Sequence, residues 1–178
     1  MLIRYTAIEK FGPHNRESWI NYVSWSKLCH LQEVISLDPM LCPSIVEADF
    51  EKDNEYLIWE NFTSDQYSDL NYLKVKLKDT DNSLYHILAV VKEPEQGCER
   101  IALANAEFVG YDLVDTEGSA SALTNCGGFE ETFSPKDLNV YGLIPFYEKA
   151  YSIREALIKN NPHEHHADCY VWAIWRIK

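Results

Sequence analysis

Two periods of apolar residues run through this chain, and the change from one to the other marks where helix should give way to strand. Phe146, Ala150, Ile153 and Leu157 are spaced by four, three and four, which puts them on one face of a helix. Pro145 suits the first turn of that helix, where its missing N–H costs nothing. Asn160-Asn161-Pro162 closes it, because a proline disfavours helical geometry in the residue before it. From Cys169 the period becomes two: Cys169, Val171, Ala173, Trp175 and Ile177 alternate with Tyr170, Trp172, Ile174, Arg176 and Lys178. Both sets are largely apolar. That pattern predicts a strand covered on both faces, near the middle of a sheet.

Further upstream, Ile3 to Ile8 reads as an edge strand, followed by turn chemistry at Gly12-Pro13-His14-Asn15. Glu17 to Val34 carries helical stripes that include Trp19, Tyr22, Val23, Trp25 and Leu28. Two prolines make Ser36 to Pro43 an irregular loop whose apolar residues must tuck under the domain. A short helix is expected around Asp49 to Asn61, and a second from Ser64 to Lys78 with Ser64 as its cap. Leu84 to Val91 and Ala104 to Val114 read as strands, the latter with Gly110 marking a bulge or close backbone contact. Asp115-Thr116-Glu117-Gly118 is a hairpin turn leading to a return strand, Ser119 to Thr124, rich in small residues. Ser134-Pro135 caps a short helix. Strands without regular β-α-β alternation, with helices first, in the middle and last, predict an α+β domain over residues 1–178. Its sheet should be antiparallel or mixed, of about four to five strands, with the C-terminal strand central.

Composition narrows the function more than the fold. The 178 residues are 46% apolar and 25% charged, ordinary globular usage with enough chain for a core. No apolar run reaches the length a membrane span needs, and the first residues lack a signal peptide's apolar core. Sixteen basic and 28 acidic residues give a net charge of −12, which opposes nucleic acid and anionic membranes alike. The five cysteines form no C-x-x-C pair, so reduced thiols in a cytoplasmic protein are expected. No cofactor is implied, since no G-x-G-x-x-G, P-loop, G-x-S-x-G or H-E-x-x-H is present.

Three constellations can carry chemistry. In Pro162 to Cys169, His163 and His165 are two apart and, in extended chain, point the same way; with Cys169, or a carboxylate, they can share a metal. The bland alternative is a polar loop whose imidazoles are satisfied by neighbouring carboxylates. Asn125-Cys126-Gly127-Gly128 offers a thiol beside exposed backbone N–H groups, as a nucleophile with an oxyanion site requires. Its base would be His86 or one of His163, His165 and His166, oriented by Asp112 or Asp115. The bland alternative has the glycines serving a turn with Cys126 packed beneath. Asp112, Asp115 and Glu117 also offer paired carboxylates, although exposed acids beside a turn are common decoration.

A fourth feature is charge. Between Glu47 and Asp69 the acids face a single lysine, Lys52, and are interleaved with aromatic residues, so this is no disordered tail. Glu51, Asp53, Glu55 and Glu60, with Trp59 and Phe62 as apolar anchors, make a surface suited to a basic protein partner. A non-enzymatic interaction protein of inhibitor or immunity type is therefore the first functional expectation. A cysteine-dependent hydrolase or transferase is the second, and a metal-binding protein the third.

Overall fold

The structure, a computed structural model, describes residues 1–58, 65–125 and 132–178. Four strands form its sheet among the described residues: β1 (Arg4–Glu9), β2 (Tyr85–Lys92), β3 (Ala106–Asp115) and β4 (Cys169–Ile177). They lie in the order β1-β2-β4-β3, each pair antiparallel. Three α-helices accompany them among the described residues: α1 (Glu17–Ser26), α2 (Leu70–Lys76) and α3 (Tyr147–Asn160). This is the α+β architecture the sequence predicts, with the C-terminal strand inside the sheet.

β4 takes that place because it has no polar face to give to water. Val171, Trp172, Ala173 and Ile174 are wholly buried, and Trp175 nearly so. α2 and α3 cover the face that carries Ala7, Ile87 and Tyr111. Leu73 of α2 and Leu77, its C-cap, pack with Ala7 and Ile87, while Tyr147 of α3 meets Tyr111 edge to face at 6.1 Å. The opposite face, which carries Leu88, Asp112, Trp172 and Arg176, is covered by loops. Glu33 bonds His86 at 2.9 Å and Arg176 at 3.1 Å, pinning the start of one such loop to the sheet. Tyr22 of α1 donates to the Thr124 carbonyl at 2.9 Å, tying α1 to the second.

Several expected elements differ. The helix predicted to reach Val34 stops at Ser26, because Lys27 turns left-handed at φ 61°. The apolar residues beyond it, Val34, Ile35 and Leu37, are buried as loop rather than helix. Phe50 to Tyr56 forms turns, not the expected helix, Leu57 bridges Tyr67, and residues 59–61 of that segment lie outside the described residues. α2 is shorter than Ser64 to Lys78 and is capped by Asp69, whose carboxylate accepts from Tyr72 N at 2.7 Å. Ser64 lies outside the described residues. The return strand Ser119 to Thr124 shrinks to one bridge, Val114 to Ser121, followed by a turn. Gly110 does mark a bulge in β3, at φ 142°.

Candidate functional site

Asp53 organises the acidic loop. Its side chain is 1% exposed and accepts from Lys76 Nζ at 2.5 Å, Asp49 N at 2.9 Å, Tyr67 Oη at 3.3 Å and Tyr72 Oη. Burial pushes its carboxyl up, but the bonds from Lys76 and Tyr72 outweigh that and hold it at about 2. Tyr72 pays the converse effect: its bond to Asp53 pushes the phenol up to about 12. Asp53 was expected to face a partner; the structure turns it inward, because a carboxylate with this many donors is satisfied inside the fold. The outward positions are Glu51, Glu55 and Phe50, the last 59% exposed. Glu60, Trp59 and Phe62 lie outside the described residues. Sequence periodicity did not single out Phe50, since a helical reading of this segment gave it no special direction.

The histidine corner is a short 3-10 turn, His165–Ala167, directly ahead of β4. It is latched to the hairpin turn that follows β3, because Asp115 and Cys169 are partners in the sheet register. His166 Nδ1 lies 2.6 Å from Asp115 Oδ2, and His165 Nε2 lies 3.2 Å from Glu117 Oε2. Thr116 N donates to the Asp168 carbonyl at 3.0 Å between them. Asp115 is fully buried and also accepts from Ser119 Oγ at 2.6 Å and Ser119 N at 2.8 Å. Burial acts to raise its carboxyl, and the Ser119 and His166 bonds more than reverse this, leaving it lowered. An ionised Asp115 is acceptor-only, so His166 must carry its proton on Nδ1. The ring is 42% exposed, and Nε2 has no hydrogen-bond partner among the described residues.

This geometry corrects two expectations. The metal set His163, His165 and Cys169 does not assemble: His163 is exposed, His165 is spent on Glu117, and Cys169 is buried at the start of β4. Burial pushes the Cys169 thiol up to about 12, the opposite of what a thiolate ligand needs. Among the described residues no group of three or more His, Cys, Asp or Glu side chains is placed to hold a metal. Asp112 is not the residue that orients a histidine. It is fully buried on the other sheet face and accepts from Ser36 Oγ at 2.6 Å, Ser121 Oγ at 2.7 Å, Leu113 N at 2.9 Å and Leu37 N at 3.2 Å. With Asp38, which takes Ser121 N at 2.9 Å, it fastens two covering loops to β3. Asp115, three residues on, takes the orienting position. Cys126 and its glycines lie outside the described residues.

The tryptophans divide. Trp19, Trp172 and Trp175 are core, while Trp25 is 54% exposed on α1. Beside it a shallow apolar hollow is lined by Trp19, Ile20, Val23, Ser24, Lys27 and Cys29. No helix among the described residues is long and apolar enough to cross a membrane. Comparison of the chain with models of known protein families, with curated proteins and with solved structures finds no match.

Proposed function

We propose that this protein is an acidic interaction domain that engages a basic partner through the loop around Asp53. The observation that carries the reading is the bracing of that loop. Asp53 is anchored to α2 and Tyr67 by three side-chain donors, Lys76, Tyr72 and Tyr67, and to its own loop by Asp49 N, so Glu51, Glu55 and Phe50 are presented on an ordered surface. An ordered loop loses little freedom on binding, and its charge speeds encounter with a cationic surface. Phe50 supplies the apolar contact that charge alone does not. The test is capture of partners from lysate by wild type and by the double variant Glu51→Lys, Glu55→Lys, at low and raised salt. Retention that is lost at raised salt and lost in the variant supports the reading. Retention indifferent to both sinks it.

A second reading rests on the His166–Asp115 pair. A buried carboxylate that fixes an imidazole tautomer, with the far nitrogen open, is the base-and-orienter half of a nucleophilic site. In this reading Cys126 is the nucleophile of a hydrolase or transferase, and His166, oriented by Asp115, takes its proton. The rate of Cys126 alkylation near neutral pH tests it: fast in wild type and slowed by His166→Gln if the two act together, slow in both if they do not.

A further inference from the structure

α1 carries an exposed stripe that neither the acidic loop nor the histidine corner uses. Glu17, Ile20, Ser24 and Lys27 follow one another at intervals of three, four and three, along one side of the helix to its C-cap. All four are exposed, Ile20 by 67%. The apolar hollow on α1 is built on this stripe: Ile20, Val23, Ser24 and Lys27 line it, with buried Trp19 and exposed Cys29. Those first four occupy positions i, i+3, i+4 and i+7. Four residues so spaced frame the hole that receives a single side chain from a facing helix. The hollow therefore has the form of a helix contact, and its apolar lining suits an apolar knob.

We propose that the knob is Ile20 of a second copy of this chain, with α1 packed antiparallel against the partner's α1. Charge sets the direction. Seating the partner's Ile20 between Val23 and Ser24 in an antiparallel pair places Glu17 opposite the partner's Lys27, and Lys27 opposite the partner's Glu17. Lys27 Nζ donates to the Ser24 carbonyl at 2.5 Å, so the ammonium is held on this side and keeps two further protons to give. The same pairing sets the positive N-terminal end of one helix dipole beside the negative C-terminal end of the other. A parallel pair about a twofold axis brings Glu17 to Glu17 and Lys27 to Lys27, like against like, and sets the two isoleucines side by side rather than in the holes. Net charge also selects this face. Two copies of a chain with net charge −12 repel. From Arg16 to Lys27, however, the ionised side chains are only Arg16, Glu17 and Lys27, so the acidic excess is absent where the copies meet. The helix is short, 10 residues, which places the dimer among weak, transient associations.

The test is sedimentation velocity of the whole chain over a concentration series. Wild type is compared with Ile20→Ser, Glu17→Lys, Lys27→Glu, the double swap of the last two, and Trp25→Gln. All the changes fall on exposed positions, and far-ultraviolet circular dichroism checks that the helix survives them. Wild type is expected to form a dimer with a Kd of about 100 µM. A twofold interface repeats every contact, so each change counts twice. Ile20→Ser is expected to weaken the dimer about a hundredfold, tenfold for each isoleucine left out of its hole. Either charge reversal is expected to weaken it about tenfold, and the double swap to restore it to within about threefold of wild type. Trp25 lines none of the hollow and stands about 140° round the helix from Ile20, so Trp25→Gln should leave the dimer unchanged. A chain that stays monomeric at every concentration overturns the proposal and leaves the hollow to a small ligand or to another protein. A dimer that Ile20→Ser leaves intact, that Trp25→Gln weakens as much, or that the double swap fails to restore overturns it as well.

Discussion

Asp53 and Lys76 meet at 2.5 Å, the carboxylate 1% exposed and the ammonium side chain 19% exposed. Lys76 also lies 5.7 Å from the centre of the Tyr67 ring, so its charge is held between an aromatic face and a buried anion. Removing the anion strands the cation and three further donors. Asp53→Ala is therefore expected to cost about 3 kcal/mol, the lower end for a broken buried pair because Lys76 retains some water. Asp53→Asn, which keeps an acceptor for Tyr72, is expected to cost about half as much. Urea midpoints at neutral pH measure both. A loss below about 1 kcal/mol for Asp53→Ala would mean the loop does not depend on this anchor.

The same carboxylate sets an acid limit on stability. Held at about 2 in the folded chain, Asp53 binds a proton less readily than an unfolded aspartate, whose pKa is about 3.9. Its contribution is therefore complete above about pH 5 and is lost as pH falls through 4 toward 2, roughly 2 kcal/mol in all. Asp115, also lowered, acts with the same sign. Stability measured in urea at pH 6 and pH 3 should fall less in Asp53→Asn than in wild type by about 1 kcal/mol, roughly half of that total, because pH 3 still lies above the folded value. Parallel pH dependence in the two proteins would remove Asp53 from the account.

At the histidine corner the expectation is a tautomer. With Asp115 ionised and 2.6 Å away, neutral His166 should carry its proton on Nδ1 and leave Nε2 bare. Long-range proton–nitrogen correlation spectra, recorded where the ring is neutral, distinguish the two nitrogens. Asp115→Asn offers an amide that can donate as well as accept, so the preference should weaken or reverse. A wild-type ring protonated mainly on Nε2 would show that the pair does not form as described.

What was legible in the sequence was whatever one element declares by itself. Cys169–Ile177 is apolar on both sides and lies inside the sheet; Ala150, Ile153 and Leu157 share a face and are the buried positions of α3. What was not legible depends on register between distant strands. Asp112 and Asp115 look alike in one dimension, yet β3 points them to opposite faces, one into a loop clamp and the other beneath the histidine turn. Likewise Val34, Ile35 and Leu37 have the apolar character of a continued helix, and only the left-handed Lys27 makes them loop. Asp53 read as part of a charged surface because nothing local announces that Lys76 and Tyr72 will reach it.

Gly110 separates two ways in which a glycine is required. Its φ of 142° is unfavourable for any side chain, and an added Cβ would meet Leu143 Cβ at 2.6 Å and the Ile144 carbonyl at 3.0 Å. The neighbouring backbone has no freedom to yield, because Tyr111 and Ile144 exchange bonds at 2.8 and 2.9 Å. Gly97, at φ 88°, has nothing within 4 Å of such a Cβ, so an alanine there bears backbone strain alone. Gly97→Ala is therefore expected to cost about 1 kcal/mol, and Gly110→Ala about 3 kcal/mol or more, strain and overpacking together. Urea unfolding of both variants measures the difference. Equal costs would show that the covering segment at Leu143 moves aside, and that β3 tolerates a side chain at its bulge.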